Sequence, residues 1–176
     1  MVGNRQRGSD SREAAIAGAS SVQALRFMTA PAWPFGEIRA VVSEHVNTPP
    51  ERVRALYEEP DNWPRVFPAT IRAARVLRRE EDTTVVEVDH VEGSVINILR
   101  HVNAMRIDLV EFKRRYEATF ANEFIGEGNG TRYRLTAWVR LKWPYRLAAP
   151  LLKPLVLARM RRYVVEPLKT AAEAQR

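Results

Sequence analysis

Thr48-Pro49-Pro50-Glu51 and, shortly after it, Asp61-Asn62-Trp63-Pro64 place two helix starts in close succession between long strand-like runs. In the first, Thr48 offers a capping hydroxyl, a proline takes the first helical position and Glu51 the third, which is the pattern of a capping box. Val53, Leu56 and Tyr57 then recur at helical spacing and give a short helix with one buried stripe, ended by Pro60. Asp61 is the N-cap expected for a second short helix that runs to about Phe67, before Pro68.

Outward from this pair the period changes. Upstream, Phe35 to Val46 reads as a strand between Pro34 and the Asn47–Pro50 break. Downstream, Ile71–Arg79, Thr83–Val91, Val95–Asn103, Arg106–Phe112, Arg114–Ile125 and Thr131–Trp143 read as strands joined by short polar or glycine turns. Such short links predict an antiparallel meander. The last strand alternates most cleanly: Tyr133, Leu135, Ala137, Val139, Leu141 and Trp143 share the face expected to be buried, and the Arg132-to-Lys142 set shares the wet one. Pro144 to Arg176 reads as a long helix with a stripe at Leu152, Val156, Met160, Tyr163, Pro167 and Ala171. Pro150 and Pro154 mark its start, and Pro167 is expected to kink it. A sheet of about seven strands with a helix against it is an α+β architecture.

Composition narrows the chemistry. The 176 residues are 45% apolar and contain no cysteine, which suits one domain with a real core and removes disulfides, thiol nucleophiles and thiolate metal sites. The histidines, His45, His90 and His101, lack a ligand spacing, and on neighbouring strands only His90 and His101 could approach each other, so no metal or cofactor is expected. Gly126 to Gly130 alternates glycines but leads into a strand, so it is a turn and not a phosphate loop. Residues 1–34 carry no signal-peptide core and are expected to form a mobile N-terminal tail ahead of a single domain at 35–176. With no membrane-spanning run, a cytoplasmic protein is expected, peripheral at a membrane at most.

The net charge of +7 is concentrated: residues 130–176 carry +9, and the rest of the chain sums to −2. Lys153, Arg159, Arg161 and Arg162 flank Leu147 to Ala158, which is apolar apart from Lys153. The basic block reads either as a solvated face or, at these four residues, as a contact for an anionic membrane surface or an acidic carrier protein. Nucleic acid is not an expected partner, because no base-reading motif is present.

Four stretches resemble the START/SRPBCC superfamily, in its polyketide cyclase/dehydrase and lipid-transport branch. They are Val46 to Val53, Asp61 to Pro68, Gly128 to Tyr133 and the C-terminal helix. The resemblance spans roughly residues 36 to 174 and implies the helix-grip fold: a curved antiparallel sheet wrapped round the long C-terminal helix, with two short helices after the first strand. It also implies a cavity for a hydrophobic small molecule, as a carrier or binding protein for a lipid or polyketide-like compound. Alternatively it implies a polyketide cyclase/aromatase. It puts Trp63 and Phe67 at the pocket entrance and a substrate-holding arginine in the cavity, with Arg100 nearest by position although its alternation points it away from His101.

Counting by twos along the strands gives an inward polar set of His90, Asn97, His101, Tyr116, Asn122 and Tyr133 among apolar neighbours that include Phe120. On the enzyme reading, His90 or His101 is the acid–base group for an aldol-type closure, and Tyr116 bonds a ligand carbonyl. On the bland reading these are hydrogen-bonded lining or core groups. A third alternative is an anion-docking interaction module without ligand.

Overall fold

The computed structural model describes residues 36–174, so the tail expected at 1–34 lies outside the described residues. β1 (Glu37–Val46) is followed by α1 (Pro50–Glu58), a 3-10 turn (Pro60–Asn62) and α2 (Trp63–Val66). The meander is β2 (Ile71–Arg79), β3 (Thr83–His90), β4 (Gly93–Asn103), β5 (Arg106–Phe112), β6 (Tyr116–Glu127) and β7 (Gly130–Leu141). A 3-10 turn (Tyr145–Ala148) leads into α3 (Ala149–Met160), a π turn (Arg161–Val165) and α4 (Glu166–Glu173), which together make the long C-terminal helix. The seven strands form one curved antiparallel sheet in the order β1-β7-β6-β5-β4-β3-β2. Sequential hairpins generate this order, and only β1 closes on the far edge, beside β7.

Register fixes which side chains share the concave face. Ile38, Ala40 and Val42 pair with Val139, Ala137 and Leu135, and these in turn with Ala118, Phe120 and Asn122. The core lies between this face and the helices: Val53, Leu56 and Tyr57 of α1, with Ala149, Met160, Val165, Leu168 and Ala172 of the C-terminal helix, pack against it. The β6–β7 turn is built on glycine for two reasons. Gly128 has φ +62, and a Cβ on Gly130 would come within 2.5 Å of the Val46 carbonyl oxygen.

Local details depart from the sequence reading. No capping box forms: Thr48 is buried and its hydroxyl donates to the Ala172 carbonyl at 3.2 Å, tying the start of α1 to α4. A partner inside the fold has outcompeted the helix's own N–H groups for this hydroxyl. Asp61 does not cap α2, because it lies within the 3-10 turn that Pro60 starts. Trp143 leaves the buried face and is 70% exposed, since β7 ends at Leu141. The rest of that strand's outer face is only partly wet: Thr136 is buried, and the Arg39 guanidinium sits 5.9 Å from the centroid of the Trp138 ring.

The expected break at Pro167 takes the form of the π turn just before it. Pro167 has no N–H to give to the carbonyl one turn back, and widening the helix there avoids the clash of its ring. The extra residue rotates the following turn. The buried stripe therefore runs Met160, Val165, Leu168, Ala172, in place of the expected Tyr163, Pro167, Ala171.

Candidate functional site

All six polar residues expected to face inward lie on the concave side, as the cross-strand pairs require: Asn122 opposite Leu135, Tyr116 opposite Leu141, Tyr133 opposite Phe124, Asn97 opposite Val86. They fall into three separate groups.

The first is closed. Tyr133 Oη donates to Asn122 Oδ1 at 2.6 Å, and Asn122 Nδ2 donates to Tyr57 Oη at 3.0 Å and to the Ile107 and Phe120 carbonyls. Burial pushes the phenols of Tyr57 and Tyr133 well above their ordinary pKa, so both remain neutral donors. Trp63 and Phe67 join this end. Trp63 is buried with its indole N–H given to the Tyr57 carbonyl at 2.8 Å, and both rings pack on Tyr57, which also meets Phe124. No polar atom of Trp63 is left over for a ligand.

The second group is peripheral. His101 Nδ1 lies 3.2 Å from Glu58 Oε1 at the end of α1. It does not approach His90. His90 pairs with Gly93, and His101 lies eight residues further along β4, roughly 26 Å at strand spacing. Antiparallel pairing puts the two histidines at opposite ends of the β3–β4 hairpin. Arg100 pairs with Thr83 and Asp108 on the convex face, so it does not enter the space between sheet and helix.

The third group is a polar pole centred on Glu111, a buried carboxylate that sequence inspection did not single out. Tyr116 Oη donates to Glu111 Oε2 at 3.0 Å, Lys113 Nζ lies 3.1 Å from Oε1, and His90 Nε2 lies 3.7 Å from Oε1. Asn97 is its cross-strand neighbour. Burial, then the Glu111 charge, raises the Tyr116 phenol far above its ordinary value, while Arg159 on the C-terminal helix opposes that shift. Burial and then the Lys113 ammonium lower the His90 pKa, against Glu111, a backbone hydrogen bond to Thr70 and Glu92, so at neutral pH this ring is the neutral imidazole. Asn97 Oδ1 and His90 Nε2 are both buried and have no hydrogen-bond partner among the described residues. The signal that could have found Glu111 is its phase: it follows Ile107 and Leu109 at steps of two, an acid in line with two inward apolar residues.

Around this pole the wall is apolar but not sealed. Leu109 and Phe120 pair across the centre of the sheet on the concave face, yet both stay partly accessible, as do Val95, Leu152 and Val156. The helix therefore does not seat fully on the middle of the sheet. A groove of ≈ 790 Å³ opens where the start of β1 meets the start of α3, lined by Ile38, Arg39, Trp143, Arg146, Leu147 and Lys153 among others. Lys153, Arg159, Arg161 and Arg162 are all exposed. Beside them stand Leu147 at 72% and Leu151 at 81% exposure. Among the described residues there is no cluster of three metal-ligating side chains, and no helix long and apolar enough to cross a membrane.

No family model matches the sequence, and no curated protein matches it. Solved structures do match. A START superfamily protein from Mycobacterium smegmatis superposes with TM-score 0.64 at 14% identity, over 78% of this chain and 99% of that one. The fold is the helix-grip fold. Within the same fold lie the Zhui aromatase/cyclase from Streptomyces sp. R1128, with TM-score 0.65 at 14% identity over 79% of this chain and 95% of that one. The di-domain ARO/CYC StfQ of the steffimycin pathway matches with TM-score 0.67 at 12% identity, over 99% of this chain and 62% of that larger one. At these identities the helix-grip likeness is one of architecture.

Proposed function

We propose that this protein binds a hydrophobic small molecule between the concave face of the sheet and the C-terminal helix, with the molecule's polar end at the Glu111 pole. The observation that carries the reading is the contrast within one face. Central apolar residues such as Leu109 and Phe120 remain accessible where a filled core would bury them, and the adjoining pole holds buried polar atoms that the protein leaves unpaired. A greasy wall with a few convergent polar groups is the usual make-up of a small-molecule site. Carrier and binding roles fit it, with entry near the start of α3, where the groove lies. Native mass spectrometry of protein purified from its own host should show a co-purifying apolar molecule that organic extraction removes. Protein that carries none, and that gives no fluorescence enhancement with apolar dyes, would overturn the reading.

The His90 environment supports a second reading, a polyketide cyclase/aromatase. A neutral imidazole beside a buried carboxylate and a phenol can remove and return a proton. Here His90 is the acid–base residue, and the separate position of His101 assigns it no part in the chemistry. Tyr116 gives its hydroxyl hydrogen to Glu111 and so orients that carboxylate. With a poly-β-keto thioester, His90→Gln should abolish the cyclised product and His101→Gln should leave it; an unchanged product profile in His90→Gln would remove this reading.

On the outer side of the C-terminal helix, exposed Leu147, Leu151 and Leu155 beside Lys153, Arg159, Arg161 and Arg162 support docking on an anionic membrane surface. Apolar insertion and phosphate contact would act together there.

A further inference from the structure

We infer that the ligand's polar end is a hydrogen-bond donor, an alcohol or phenol hydroxyl in place of a carbonyl, ester or carboxylate. The inference rests on the ligand-binding reading above and follows from how donors and acceptors are spent at the pole.

Two donors are engaged with Glu111. Tyr116 has one hydroxyl hydrogen, and Glu111 Oε2 accepts it at 3.0 Å. The Lys113 ammonium lies against Glu111 Oε1 at 3.1 Å and over the Tyr116 ring. An acceptor is left over. Asn97 is 3% exposed and its Oδ1 has no partner among the described residues.

His90 Nε2 is also buried without a hydrogen-bond partner among the described residues, 3.7 Å from Glu111 Oε1. A carbonyl or carboxylate brought here would leave Asn97 Oδ1 unpaired. A hydroxyl brings a hydrogen for that oxygen, and it can still accept from the remaining N–H groups of Lys113. Polar atoms left unpaired inside a protein are expensive, which is why a site of this kind discriminates strongly for the group that pairs them.

The test uses matched pairs in which a methyl group replaces the hydroxyl hydrogen: 2-naphthol against 2-methoxynaphthalene, and hexadecan-1-ol against its methyl ether, each titrated into the full chain after organic extraction. Each alcohol should bind about tenfold tighter than its ether. The aldehyde and carboxylate of each series should bind no better than the ether. In Asn97→Leu the alcohol-to-ether ratio should fall towards one with ether affinity kept within about twofold. Equal binding of alcohol and ether by the unaltered chain overturns the donor assignment and leaves the pocket standing. An Asn97→Leu variant that weakens both ligands alike also overturns it, because Asn97 would then be structural. Binding of no member of either series removes the pocket reading itself, and this inference with it.

Discussion

The two polar clusters on the concave face have nearly the same ingredients and opposite accounting. At one end Tyr57, Asn122 and Tyr133 form a closed set in which the buried amide gives and receives all that its surroundings offer. At the other end His90, Asn97 and Tyr116 gather round Glu111, and two buried polar atoms are left without partners. The lesson is that an inward polar residue in such a sheet is not thereby a ligand contact. A satisfied network holds the fold together, whereas an unsatisfied one marks where the fold stops serving itself.

That contrast can be broken most directly by removing the same residue type from each end. Asn122→Leu strands four groups that now bond to Asn122, and it should destabilise the protein by about 3 kcal/mol. Asn97→Leu removes an acceptor that has no partner, so its effect should be near zero or stabilising by up to about 1 kcal/mol. Denaturant unfolding of both variants checks the pair; equal losses would erase the distinction between the two ends. Smaller, and confined to the closed end, Tyr133→Phe deletes one buried hydrogen bond and leaves Asn122 Oδ1 short of a donor, at a cost of about 2 kcal/mol in the same measurement.

The histidine sharpens the comparison through pH. His90 faces Glu111 and Lys113, with Glu92 further off, and its folded pKa lies below the ordinary 6.5. The unfolded chain therefore binds the proton more readily, so this residue's contribution to stability is full above about pH 6.5 and is lost as the pH falls towards the depressed folded value. Melting temperature followed from pH 7.5 downward should fall less steeply in His90→Gln; an identical slope in both proteins would show that the imidazole is not buried as described.

The smallest effect concerns the outer face of the helix. Leu151→Ser should leave the melting temperature nearly unchanged, because that side chain is 81% exposed. It should weaken co-sedimentation with vesicles containing phosphatidylserine, and added salt should weaken binding further. Binding that ignores both anionic lipid and salt would count against docking, and salt-sensitive capture by an acidic protein instead of vesicles would reassign the surface.

Much of this was legible along the chain because strand alternation is a local property. Counting by twos put His90, Asn97, Tyr116, Asn122 and Tyr133 on the right face, since the bulges between paired strands fall in β2 and at the end of β4, away from those positions. Alternation says nothing about where along a neighbouring strand a residue lies, so the distance between His90 and His101 was not legible. Glu111 escaped for a related reason: an acid at one inward position reads as a surface residue until its cross-strand neighbours are known. The Thr48 capping box failed because a hydroxyl goes to whichever partner packing brings, and α4, far along the chain, brought the Ala172 carbonyl.

Sequence alone determined the element order, the antiparallel meander, the α+β class and the inward face of most strands, because periodicity and turn chemistry act over a few residues. Tertiary structure alone decided which inward polar atoms are paired and which are left bare. That depends on contacts among β3, β4, β5, β6 and α1, whose positions no short stretch of chain encodes.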